Sequence, residues 1–289
     1  MYAYTKETLS AAEAAAAAGD AGAVWRILRG LCLDDFGELL LHMPSPDYPG
    51  LSSVLPHMAA AEVQNNWTGN NGYPLLAQTL NFVRSVDYHF LTLAGRRLNG
   101  AKILDFGCGF GRIARLMYYF TDPDRFFGVD PWYQSIRLCK ESRLPGTFLI
   151  SDYVPRDLPV TDRDFDLIYC FSVFTHLSMR TTRAALTTLR AHIAPGGLLV
   201  ITIRPEEYWH RSAVDPFSGR TADDLLAEHR ATGFAFNPHR RDPIDGDITY
   251  GDTSMTIDWL TRECPEWTIR GLDRTLDDPL QILLFLSPR

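Results

Sequence analysis

The chain has 289 residues, with 46% hydrophobic and 22% charged, which fits one large globular domain or a domain with a cap. Its net charge of −7 speaks against nucleic acid as the main partner, since phosphate backbones call for a basic face. Five scattered cysteines without a C-x-x-C pair, no apolar run long enough for a bilayer and no basic leader lead us to expect a cytoplasmic protein with reduced thiols, no zinc or other metal-ligand constellation and no membrane association.

Residues 6–18 and 22–32 read as two helices broken by Gly19-Asp20, and Trp25, Ile27, Leu28, Leu31 and Cys32 give the second an apolar face. Phe36 to Leu41 reads as a short helix, and the Pro- and Gly-punctuated stretch from Pro44 to Pro56 as loop. Glu62 to Gly72 gathers amides, Trp67 and two glycines in what reads as a loop. Two readings stand there: Trp67 and Gln64 close over a cofactor or substrate, or the Asn side chains bond their own backbone in a turn. Residues 1–74 are expected to form a helical cap and lid, ahead of a main domain over 75–289.

A long helix follows from Pro74, with apolar stripes on two sides, until Gly95 and Asn99-Gly100 end it. Ala101 to Phe106 is an apolar run suited to a central parallel strand, broken near its end by Asp105, where ligands sit in open α/β sheets. Gly107, Gly109 and Gly111 then alternate, permitting positive φ and leaving no Cβ between backbone and ligand. The dinucleotide spacing G-x-G-x-x-G/A fails at Arg112, and the Gly-Lys-Ser/Thr ending of a P-loop is missing. What remains, Asp105-Phe106-Gly107-Cys108-Gly109-Phe110-Gly111-Arg112, resembles motif I of the class I S-adenosylmethionine (SAM)-dependent methyltransferases. The resemblance implies that this loop, from Asp105 through Cys108 to Arg112, touches the methionyl and ribose parts of SAM.

Phe126 to Asp130 reads as a second buried strand ending in a carboxylate, 19 residues beyond Gly111. Such a carboxylate can accept bonds from both ribose hydroxyls; the alternative is a helix N-cap, since Pro131 follows. Trp132 is where adenine could stack, or else a packed surface ring. Thr147 to Ile150 is a third strand ended by Ser151-Asp152-Tyr153, and the family resemblance implies that Asp152 accepts from the adenine amino group. Phe165 to Phe171 is a fourth strand, and Ser172-Val173-Phe174-Thr175-His176-Leu177 resembles motif IV of bacterial small-molecule methyltransferases. The backbone at Cys170, Phe171 and Ser172 is then expected beside the transferable methyl. An N-P-P-Y-type signature of amino-methylating DNA enzymes is absent.

Ser178 suits an N-cap, a helix follows, and Ala194-Pro195-Gly196-Gly197 stops it before a fifth strand, Leu198 to Ile203. Ser254 to Arg262 reads as a helix, with Trp267–Gly271 and Gln281–Leu286 as the closing strands. The stretch between, at about 205–253, is expected to be an inserted substrate lid with a helix from Thr221 to about Arg230.

These landmarks imply a Rossmann-like class I methyltransferase fold: an α/β, seven-stranded, mostly parallel sheet with an antiparallel last strand, plus the N-terminal helices. The expected activity is methyl transfer from SAM, giving S-adenosylhomocysteine (SAH), to a hydroxyl or amine of a small molecule such as a secondary metabolite or sugar. His176 is the first candidate for a proton-accepting base, against a structural role at a helix start; Tyr250, Glu207 and His210 are others. An NAD(P)-dependent oxidoreductase and a non-catalytic SAM-binding protein are the competing readings. The sequence sets no oligomeric state and allows a homodimer.

Overall fold

The computed structural model describes residues 2–289. Seven strands form one sheet in the order β3 (Thr147–Ile150), β2 (Phe126–Asp130), β1 (Ile103–Phe106), β4 (Phe165–Cys170), β5 (Ile193–Ile203), β9 (Ile282–Pro288) and β8 (Trp267–Arg274); β6 (Phe234–Pro238) and β7 (Gly251–Met255) form a separate pair. Pairing is parallel in β1–β2, β2–β3 and β4–β5, and β9 runs against both β5 and β8. This is the mostly parallel sheet with an antiparallel last strand that the sequence implies. No described helix is long and apolar enough to cross a membrane.

The chain divides into two compact units, residues 1–88 with 97–150 and residues 89–96 with 151–289. In the first, helices α1 (Lys6–Ala17), α2 (Ala21–Leu28), α3 (Leu33–Leu41), α4 (Pro49–Val54), α5 (Ala61–Thr68) and most of α6 (Gly72–Ala94) precede β1, α7 (Arg112–Met117), β2, α8 (Tyr133–Glu141) and β3. Trp25 packs on Phe36 and Tyr118, and Phe36 meets the edge of Tyr119, so apolar faces of α2 and α3 close on the end of α7.

Two stretches read as loops are helical. Pro49–Val54 is α4, because the Glu13 carboxylate on α1 accepts from the Gly50 and Leu51 amides (2.5 and 2.8 Å) and satisfies its first turn. Ala61–Thr68 is α5, because no Gly or Pro interrupts it before Gly69, whose left-handed φ of 73° ends it.

The second unit holds β4, α9 (Met179–Arg190), β5, α10 (Tyr208–Arg211), α11 (Ala222–Thr232), β6, β7, α12 (Ile257–Glu263), β8 and β9. Ser178 accepts from the Thr181 amide and caps α9, as expected. Thr221 caps α11 in a reciprocal box with Asp224, which fixes that helix where the sequence puts it. Two expectations fail here. Ala194-Pro195-Gly196-Gly197 is a bulge inside β5, lying between the residues that face Phe165 and Leu167. Ser254 belongs to β7, and the following helix starts only after Thr256, whose hydroxyl accepts from the Trp259 amide.

Candidate functional site

In the first unit, β1 carries buried Asp105 one residue before its end, and the chain turns through Gly107, Gly109 and Gly111, all with positive φ (82°, 54° and 73°), into α7. The turn is anchored twice to β2. The Gly107 and Cys108 amides both donate to the Val129 carbonyl (2.8 and 3.1 Å), and the Gly109 amide donates to Asp130 Oδ2 at 3.0 Å. The other carboxylate oxygen, Oδ1, accepts from the Trp132 amide at 2.9 Å. Asp130 is therefore no helix cap: α8 begins at Tyr133, and the carboxylate spans a local turn and the glycine loop. Burial pushes its pKa up, against the pull of these backbone bonds.

Trp67 of α5 lies over this loop. A Cβ on Gly109 would meet its ring at 3.4 Å. The same ring stacks on Trp132, centroids 4.8 Å apart and planes 24° from parallel, and stands edge-on to Phe110 at 6.0 Å. Trp132 stays 47% exposed and Pro131 is half-buried. Gln64 is spent on the local frame, donating to the Ala59 carbonyl (2.7 Å) and accepting from the Gly72 amide (3.1 Å).

Arg112 reaches back to Gln78 and Thr79 of α6 (2.7 and 2.9 Å). The loop's own carbonyls are held by a cation that sequence reading missed. Buried Arg115 donates to the carbonyls of Phe110, Gly111 and His57 at 2.7–2.9 Å. Burial lowers its pKa to about 10, so it stays charged at neutral pH. An arginine inside a short helix after a glycine loop reads from sequence as a surface charge. The thiols of Cys108 and Cys139 both point to the Gly109 carbonyl, at 3.8 and 3.3 Å, and burial pushes the Cys108 thiol well up.

In the second unit, Ser151 is buried and its hydroxyl has no hydrogen-bond partner among the described residues, while Asp152 and Tyr153 are exposed. After β4 and buried Cys170 come half-buried Phe171 and Ser172; Ser172 has φ 58°, its amide donates to Thr202 Oγ1 and its hydroxyl accepts from Gln281 Nε2.

Around His176 lies a polar network. Its Nδ1 is 2.8 Å from the Gly251 carbonyl, which can only accept, so Nδ1 carries the proton. Its Nε2 lone pair faces Arg204 Nη2 at 3.2 Å. Burial and that guanidinium lower the His176 pKa to about 4. The imidazole is thus neutral, with both nitrogens engaged. Arg204 also donates to Asp252 Oδ1 (2.7 Å) and the Thr175 carbonyl (2.9 Å) and lies over the Tyr208 ring, 4.0 Å from its centroid. The second oxygen of Asp252 is 2.9 Å from His239 Nε2. The Tyr250 ring stacks on His176 (5.1 Å, 6°) and meets His239 edge-on (5.6 Å).

Glu207 lies outside that network, exposed ahead of α10 on the rim of a cavity of about 580 Å³ that Arg230, Arg262 and His229 also line. His210 is exposed on α10. Arg204 and Asp252 escaped sequence reading. The signals were a charged residue directly after the apolar run Leu198 to Ile203, and an Asp flanked by Gly251 and Thr253 in what proves to be a strand.

Residues 103–197 match a family model described as a methyltransferase domain. Among solved structures, magnesium protoporphyrin IX methyltransferase from Synechocystis PCC 6803 with bound SAH is 13% identical over 79% of this chain and 94% of that one, with a TM-score of 0.51. An S-adenosylmethionine-dependent methyltransferase from Clostridium acetobutylicum ATCC 824 is 10% identical over 78% and 96%, with a TM-score of 0.50. A protein from Pyrococcus horikoshii OT3 is 16% identical over 72% and 91%, with a TM-score of 0.49. At these identities the first two likenesses show a shared fold.

Proposed function

We propose that this chain, which carries a methyltransferase domain on a Rossmann-like methyltransferase fold, is a SAM-dependent methyltransferase that acts on a hydroxyl or amine of a small molecule and releases SAH. The observation that carries this reading is the glycine turn tied to Asp130, in the segment matched as a methyltransferase domain.

The residues present suit the nucleoside. Each Asp130 oxygen accepts from one backbone amide, and a carboxylate oxygen can accept a second bond, as from a ribose hydroxyl. Ser151 offers a buried hydroxyl that has no partner among the described residues. Glycine at 107, 109 and 111 lets the loop take the positive φ values of its turn. When bound, SAM supplies a methyl on a cationic sulfur, whose charge is neutralised as the methyl leaves. The chain's part is to hold and exclude water: Asp130 and the loop fix the ribose, Trp132 offers a face to adenine, and Trp67 serves as the lid over Gly109. Alignment of this kind is worth roughly 7–11 kcal/mol in well-oriented reactions. Asp105, Cys108, Asp152, Tyr153 and the Cys170–Ser172 backbone complete the proposed cofactor contacts. Tyr250 and Glu207 remain acceptor-side candidates. The net charge of −7 favours a small-molecule acceptor over nucleic acid.

The test is calorimetric titration with SAH, followed by transfer of tritiated methyl from SAM to a panel of small hydroxyl and amine compounds. Stoichiometric SAH binding with label transfer supports the reading; no binding overturns it.

A further inference from the structure

His176 and His239 both border Asp252 and Tyr250, yet only one of them has a nitrogen to give. On His176 the Gly251 carbonyl takes the Nδ1 proton and Arg204 covers the Nε2 lone pair. On His239 the order is reversed. Its Nε2 faces a carboxylate oxygen of Asp252, which the Arg204 guanidinium opposite helps to keep ionised, so Nε2 carries the proton. Its Nδ1 then holds a lone pair without a partner among the described residues, on a side chain 28% exposed. Asp252 is itself fixed between Arg204 and His239, so the imidazole is held in one tautomer and one orientation.

We propose that His239 is the base that takes the proton of an acceptor hydroxyl during methyl transfer, that Asp252 is its positioning residue, and that His176 is a neutral member of the frame. This rests on the methyl-transfer reading above. As the acceptor oxygen forms its bond to the methyl carbon, the carbon–sulfur bond breaks and its electron pair stays on sulfur. The hydroxyl proton passes to His239 Nδ1, the imidazolium is stabilised by Asp252 through Nε2–H, and the proton later leaves to water. The acceptor is a hydroxyl, because its proton must go to a base as the bond to carbon forms.

Two readouts test it. The first needs no acceptor: carbethoxylation by diethyl pyrocarbonate, mapped by mass spectrometry, should modify His239 and spare His176; the opposite order overturns the assignment. The second measures label transfer from SAM to catechol and simple phenols. His239→Ala should cut kcat by roughly 10²–10⁴-fold while SAH affinity stays within about twofold, and added imidazole should restore part of the rate. The acid limb of the wild-type pH–rate profile should vanish in the variant. The groups around His239 that could shape that limb are Asp252, Tyr250 and His176, with Arg204 and Tyr208 beside Asp252 and Arg241 over Tyr250. Unchanged turnover in His239→Ala, or turnover lost in step with SAH binding, overturns the proposal alone, as does wild-type protein that binds SAH but transfers only to amines. Wild-type protein that fails to bind SAH overturns the methyl-transfer reading instead.

Discussion

Trp67 and Trp132, 65 positions apart in the chain, stack with their ring centroids 4.8 Å apart above the glycine turn. Trp67 also lies against Gly109 at the distance a Cβ would need. A nucleoside that uses Trp132 as its stacking face must therefore displace Trp67 or share the slot with it. Trp67→Ala should weaken SAH binding by roughly two- to tenfold, the scale of one lost aromatic contact of about 0.5–1.5 kcal/mol. The tryptophan fluorescence change that accompanies SAH binding in the wild type should shrink with it. Unchanged affinity and unchanged fluorescence response would remove the lid role.

Gly111 is the residue on which the turn enters α7, with φ 73° and Leu144 Cδ1 only 2.3 Å from where a Cβ would stand. Gly111→Ala must strain the backbone and push Leu144 aside, at about 1–3 kcal/mol. Urea denaturation should show the midpoint falling without a change in slope.

Three histidines have lowered pKa values in the folded chain: His176 to about 4, mainly through burial and Arg204, and His192 and His229 downward through burial. For a base held neutral by folding, the unfolded chain binds more protons below the ordinary value near 6.5. Stability from these groups is full above pH 6.5 and falls as pH drops toward 4. The slope is at most about 1.4 kcal/mol per pH unit for each group. Denaturant titrations at pH 7 and 5 should show this loss, and His176→Asn should reduce the difference between the two. An unchanged difference would mean that His176 titrates normally.

Arg204 donates to His176, Asp252 and the Thr175 carbonyl from inside the second unit. Arg204→Ala should leave Asp252 with an uncompensated buried charge and cost about 3–5 kcal/mol. Arg204→Lys should recover only part of this, because one ammonium cannot reproduce the fork. Thermal unfolding of both variants checks the order.

What the sequence disclosed and what it hid separate along one line. The glycines at 107–111, the Asp at the end of the next apolar run and the cap at Ser178 announce themselves by residue type and spacing, although the turn is tied to Val129 and Asp130 some twenty positions on. Helix α4 depends on Glu13, 37 positions from the amide it caps, and no local pattern announces that. The amide-rich stretch at Ala61–Thr68 imitates a loop in composition, yet folds as a helix that sets Trp67 over Gly109. The pairing of β6 with β7 turns a stretch read as lid and helix into a strand that carries Asp252. His176 is legible as a histidine just past β4; its occupied nitrogens depend on Gly251 and Arg204, and only the fold supplies those.

The central claim is that Asp130 and the glycine turn it holds form the nucleoside site, and calorimetry with SAH on wild-type protein and Asp130→Asn tests it most directly. Losing a charged acceptor should weaken binding by roughly ten- to a hundredfold, from about 1.5–3 kcal/mol, with circular dichroism unchanged. Equal affinity in the two proteins, or no SAH binding by the wild type, would contradict it.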